Sequence, residues 1–131
     1  MNLLLDTHIL IWVLSMPEKI ESSVKQLIEN PENNIYVSNL CFWEISIKYS
    51  KGKIDINKNI PEDFLTASKK GGFIIKNLTE KEAATLYRLT GNYHKDPFDR
   101  MMIWQAICNN FTFVTDDKQV KKYVADGLKT L

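Results

Sequence analysis

The chain has 131 residues, a length that argues for one domain with one core spanning residues 1–131. With 44% apolar and 25% charged residues it falls in the ordinary globular range and outside the disordered, collagenous and coiled-coil classes. Seventeen basic and sixteen acidic residues leave a net charge of +1, which excludes a protein held on nucleic acid by a strongly basic surface.

Apolar runs alternate with amphipathic ones along the chain, and no repeat or linker divides it. Residues 3–5 read as a short buried strand and residues 7–14 as an apolar helix. A second helix is predicted over residues 18–29, ended by Asn30-Pro31, because a residue before proline disfavours helical geometry. Residues 35–38 form the second strand, and a helix over residues 39–50 stops at Gly52, which tolerates the left-handed C-cap conformation. Residues 53–56 fit neither pattern. Pro61 opens another helix that Gly71-Gly72 terminates, and residues 73–75 make a third strand. Thr79 and Glu82 have capping-box spacing for a helix reaching about residue 90. Asp96 as N-cap and Pro97 as first helical residue begin a helix through residue 107, and residues 111–114 make a fourth strand. Asp116-Asp117 and a short helix close the chain. Short buried strands joined by helical crossovers define an α/β fold, a three-layer α/β/α sandwich around a mostly parallel sheet.

In such sheets ligands bind beyond the carboxyl ends of the strands, and there the acids gather. Asp6 follows the first strand and Asp116-Asp117 follow the fourth, while Asp99 lies in the first turn of a helix whose start returns toward the same edge. Glu44 sits at the edge of an apolar helix face, about 7 Å from the start of its helix, and helical side chains tilt back toward that end. Each acid also has a structural reading. Asp99 can oppose the helix dipole, Asp96 and Asp116-Asp117 can cap helices, and Glu44 with Lys48 has the spacing of an exposed ion pair. Together, however, they repel, since two like charges about 4 Å apart cost roughly 4 kcal/mol at an effective dielectric near 20. A cation relieves this, and an all-oxygen set without a Cys/His group favours Mg²⁺ or Mn²⁺ over Zn²⁺. Such an ion activates water and neutralises charge on a phosphate, the equipment of phosphodiester hydrolysis without a nucleophilic side chain.

The remaining residues point to less. His8 and His94 are isolated and read as structural or surface residues. Trp12, Trp43 and Trp104 fall at apolar helical positions and are expected to pack in the core or against a partner helix rather than on bases. Lys48, Lys95, Arg100 and Lys118 lie near the acidic edge, as phosphate contacts or solvated charges. Lys51, Lys53, Lys69, Lys70, Lys121 and Lys122 lie elsewhere. Cys41 and Cys108 stand beside apolar residues without disulfide or zinc spacing, so buried thiols in a reducing cytosol are expected. The N-terminus lacks a basic export region, and the apolar run at residues 9–14 is short of the roughly 20 that span a bilayer. A cytoplasmic protein without a membrane anchor is the expectation.

Four ordered blocks, Leu3-Leu4-Leu5-Asp6-Thr7-His8, Trp43-Glu44-Ile45-Ser46-Ile47-Lys48, His94-Lys95-Asp96-Pro97-Phe98-Asp99-Arg100 and Val114-Thr115-Asp116-Asp117, resemble those of PIN-domain proteins of the VapC toxin type. The resemblance covers almost the whole chain. It implies a PIN-like fold, Mg²⁺- or Mn²⁺-dependent ribonuclease activity leaving a 5′-phosphate and a 3′-hydroxyl, a cognate antitoxin and assembly as a homodimer. The four family acids correspond to Asp6, Glu44, Asp99 and Asp117, as catalytic residues and metal ligands. Thr115 supports the site through its hydroxyl, Asp116 is an additional acid and Asp96 is a cap. Two other readings use the same sheet edge: a non-catalytic RNA-binding module of PIN type, and a receiver or phosphatase-type domain. A receiver places an acidic pair after its first strand and an acceptor Asp after its third, where this chain has Asp6 alone and Lys76-Asn77.

Overall fold

The computed structural model describes all of residues 1–131. Its five strands, β1 (Asn2–Leu5), β2 (Asn34–Ser38), β3 (Ile74–Lys76), β4 (Thr112–Val114) and β5 (Lys129–Thr130), form one wholly parallel sheet in the order β3-β2-β1-β4-β5. The central strand is the most apolar: Leu3, Leu4 and Leu5 are all fully buried, as a strand covered on both faces requires. Each such side chain contributes roughly 1.5–3 kcal/mol by leaving water. From β1 the chain runs outward to β2 and β3, then returns to β4 on the other side of β1. The carboxyl ends of β1 and β4 therefore border the topological switch point, where sheets of this kind leave a crevice.

Six α-helices make the crossovers: α1 (Thr7–Ser15), α2 (Ser22–Glu29), α3 (Asn39–Ser50), α4 (Pro61–Lys70), α5 (Glu80–Thr85) and α6 (Pro97–Asn109). The result is the α/β sandwich that the alternating runs predict. Ile11 of α1, Ile45 of α3 and Phe64 of α4 share a small core with Met16 and Ile56, which ties α3 beside α1 and so brings Glu44 near the end of β1. No helix is long and apolar enough to cross a membrane.

Several sequence expectations need correction. Residues 18–29 are not one helix, because Pro17–Lys19 forms a 3₁₀ turn, Ile20 and Glu21 are extended, and α2 starts at Ser22. The helix expected to reach residue 90 ends at Thr85 and tightens into a 3₁₀ turn, Leu86–Arg88, after which the Leu89 and Gly91 carbonyls turn toward the Arg100 guanidinium. β3 begins one residue later than predicted, and β5 was not expected at all. Cys108 is exposed rather than buried, on a face of α6 turned to solvent, whereas Cys41 is fully buried. Burial pushes the Cys41 thiol up to about 12, which removes it as a nucleophile.

Candidate functional site

Asp6 marks the end of β1, where its backbone N–H still donates to the Val114 carbonyl at 2.9 Å, as one more rung toward β4. Its side chain then serves as N-cap of α1: Oδ1 accepts from the Thr7 N–H at 2.7 Å, and Oδ2 accepts from the Thr115 hydroxyl at 2.7 Å. Burial nevertheless raises its pKa above the ordinary carboxylate value, against these two hydrogen bonds and with the Glu44 charge adding to the rise.

Glu44, on the second turn of α3, is only 2% exposed. One oxygen accepts from the Thr7 hydroxyl at 2.7 Å, and the other pairs with the Lys48 ammonium one turn along the helix. The pair predicted from its spacing is thus present, but its acid is buried rather than exposed. Lys48 also lies 3.8 Å from Asp96, and the charges of Glu44, Asp96 and Asp99 outweigh its own burial and raise its pKa.

Asp99 stands in the first turn of α6, whose start is fixed by Asp96. The Asp96 carboxylate accepts from the Phe98 and Asp99 N–H groups at 2.8 and 3.4 Å, in the capping role expected for it. Burial, followed by the charges of Asp6, Asp96 and Glu44, lifts Asp99 to about 6. Asp6, Glu44, Asp96 and Asp99 therefore feel one another, with one ammonium, Lys48, among them.

Asp117 stands slightly apart. Its backbone N–H donates to the Thr115 hydroxyl at 3.1 Å, the same hydroxyl that donates to Asp6, so Thr115 bridges the ends of β1 and β4. Its carboxylate caps the 3₁₀ segment Lys118–Asp126 through the Gln119 N–H and takes a 2.6 Å contact from His94 Nε2. Despite some burial, the His94 hydrogen bond, the Gln119 N–H and the His94 charge hold its pKa below the usual carboxylate range. Asp116 is exposed, beside Thr115 in a groove lined by Ile9, Trp12 and Lys19.

His94 is the residue that sequence reasoning missed. The phenolic oxygen of fully buried Tyr123 accepts the backbone N–H groups of Tyr93 and His94, both at 3.0 Å, so its own proton is directed to His94 Nδ1 at 3.1 Å. In either protonation state Nε2 then carries a proton and donates it to Asp117. Arg100 does not face the pocket as a free cation: its guanidinium donates to the Leu89 and Gly91 carbonyls and to Asn92 Oδ1. It clamps the loop that carries His94, so any phosphate contact would compete with these three acceptors. Lys48, likewise, is engaged by Glu44, whereas Lys95 and Lys118 are exposed. Thr7 was also missed, since its contact with Glu44 spans 37 positions. Of the tryptophans, half-buried Trp12 and Trp104 pack against the core as expected, whereas Trp43 is exposed.

No three acidic, histidine or cysteine side chains are closed into a ligand shell. The chemistry of the donors is nevertheless that of a hard-cation site: Asp6, Glu44, Asp99 and Asp117 offer only carboxylate oxygens, and burial raises the pKa of both Asp6 and Asp99, which an added positive charge would relieve.

The chain as a whole has known relatives. The PIN domain family matches residues 3–125, and the chain belongs to that family. Among curated proteins it is similar to Ribonuclease VapC22 of Mycobacterium tuberculosis (strain ATCC 25618 / H37Rv), at 23% identity over 122 residues, 93% of this chain and 92% of that one. Two solved structures share its fold. One is VapBC2 from Rickettsia felis bound to a DNA fragment from the promoter (TM-score 0.65, 19% identity, 100% of this chain and 98% of that one). The other is VapBC-1 from nontypeable Haemophilus influenzae (TM-score 0.66, 18% identity, 100% and 97%).

Proposed function

We propose that this protein is a divalent-cation-dependent endoribonuclease and the toxin of a toxin–antitoxin pair. The observation that carries the reading is the gathering of buried Asp6 and Glu44 with half-buried Asp99 at the switch point, close enough that their charges raise one another's pKa values or that of Lys48. A fold rarely gathers buried like charges without a use for them. Support also comes from membership of the PIN domain family and from likeness to a curated ribonuclease of the VapC type.

Asp6, Glu44, Asp99 and Asp117 would hold Mg²⁺ or Mn²⁺, which when bound supplies charge neutralisation at the phosphate and activation of water. The chain's own groups arrange the rest. Thr7 fixes one oxygen of Glu44, and Thr115 fixes one oxygen of Asp6 while accepting the Asp117 N–H. His94 aims the Asp117 carboxylate, and Lys48 offsets part of the negative charge before a cation arrives. RNA is the substrate and an antitoxin protein the partner; the solved relatives, titled as VapBC assemblies, support the latter. A homodimer in the cytoplasm completes the reading, on the VapC-type resemblance of the sequence.

Purified protein incubated with RNA is expected to cleave it with Mg²⁺ or Mn²⁺ and to stop in EDTA. Asp6→Asn and Asp99→Asn should each lower the rate at least about 100-fold. Full activity in either variant or in EDTA contradicts the proposal, and binding without turnover under every metal makes the protein a non-catalytic RNA-binding module.

A further inference from the structure

We infer that Trp43 and Phe98 form a stacking platform for an unpaired base of the RNA strand whose phosphate lies at the acidic centre. The inference rests on the nuclease reading above. Trp43 immediately precedes Glu44 on α3, and Phe98 immediately precedes Asp99 on α6. Each of the two helices that carries an acid of the centre therefore also carries an aromatic ring at the preceding position, turned about 100° around the helix from the acid, on the outer side. The two rings meet edge to face, with centroids 5.3 Å apart and planes at 87°. Trp43 is still 57% exposed, although the next residue, Glu44, is almost inaccessible.

An indole held by an edge-to-face contact has little freedom left to lose, and its open surface is suited to a flat π-system. Bases offer one, and stacking on an aromatic side chain tolerates any base but requires that it be unpaired. The surroundings favour a nucleotide over an apolar partner: Glu44 and Asp99 belong to the proposed cation site, and exposed Lys95 lies next to the Asp96 cap. Tyr87 provides the contrast. It is 77% exposed, but its chain neighbours are Leu86 and Arg88, with no acid beside it.

The test uses the full chain with Mn²⁺ and a labelled single-stranded RNA, measuring KM and kcat. Trp43→Ala should raise KM about tenfold with kcat unchanged, and Trp43→Phe should recover most of the loss. Tyr87→Ala should match the wild type. An RNA made abasic beside the cleaved phosphate should raise the wild-type KM similarly, and Trp43→Ala should then add nothing, because the base it holds is already missing. Unchanged KM in Trp43→Ala, or independent effects of the variant and the abasic site, overturns the platform. So does a change in molecular mass of Trp43→Ala by light scattering, which would make this face a contact between copies. Failure of the wild type to cleave RNA at all sinks the nuclease reading itself, and it shows before any Trp43 variant is made.

Discussion

Around Glu82 every charge has a partner, whereas around Asp6 and Asp99 like charges accumulate. Glu82, in the first turn of α5, accepts from the Thr79 N–H at 3.1 Å, Gln105 at 3.1 Å and Asn109 at 2.7 Å, and Lys76 pairs with it at 3.0 Å. Burial pulls its pKa upward, but these donors together hold it below the usual value. At the switch point burial prevails, and the pKa values of Asp6 and Asp99 both rise. The same residue chemistry thus serves two ends. A buried acid with a full set of donors fastens β3, α5 and α6 together, while buried acids left facing one another make a place for a cation.

The sharpest way to break this comparison is to substitute one acid from each region. Glu82→Ala strands Lys76, Gln105 and Asn109, so it should lower unfolding free energy by about 3 kcal/mol in a urea titration, with the folded fraction still cleaving RNA. Asp99→Asn should do the reverse: cleavage is lost, and the metal-free protein is stabilised by about 1 kcal/mol because a repelling charge is gone. If both variants lose stability equally, the two regions are not distinct in kind.

His94 sharpens the comparison within the site. His94→Ala removes the donor that aims Asp117, and cleavage should fall about tenfold while Mn²⁺ affinity measured by calorimetry weakens by a similar factor. Wild-type affinity in that variant would limit His94 to loop packing. Gly91 supports the same loop from behind, since a Cβ there would meet Asp126 Oδ2 at 2.6 Å and the Tyr123 ring at 3.0 Å. Gly91→Ala should cost about 1–2 kcal/mol on the same urea titration.

The smallest effect is one of pH. Because the folded-state pKa of Glu82 is depressed, its contribution to stability is present above the unfolded value near 4.5 and is lost as pH falls through the folded value. The stability gap between wild type and Glu82→Gln should therefore hold between pH 7 and 5 and close below about pH 4.5. A gap that widens on acidification would reverse the assigned sign.

Much of this was legible before any coordinates. Leu3-Leu4-Leu5 can only be a strand buried on both faces, and Asp6 directly after it has to stand at the carboxyl edge. Asp96-Pro97 announced its helix through capping chemistry that is local to a few residues. What escaped was non-local or too short to have a pattern. Tyr123 reaches His94 across 29 positions, and Thr7 reaches Glu44 across 37, with nothing in the intervening sequence to pair them. β5 has two residues, one of them lysine, and owes its place to β4 rather than to any apolar alternation. Arg100 looked free because its three acceptors lie on a loop whose path the sequence does not reveal. Trp43 was expected in the core or against a partner helix because its neighbours in the helix are apolar, and the core half of that expectation fails, since the face it shares with Phe98 opens to solvent.

The central claim is that the frustrated acids at the switch point, and not the satisfied ones at Glu82, receive the cation. Mn²⁺ added stepwise to isotopically labelled protein, with backbone amide broadening followed by NMR, tests it residue by residue. Selective broadening at Asp6, Thr7, Glu44, Asp99, Thr115 and Asp117, abolished by Asp99→Asn, is the predicted result. Broadening centred on Thr79, Glu82, Gln105 and Asn109, or none that Asp99→Asn removes, would contradict it.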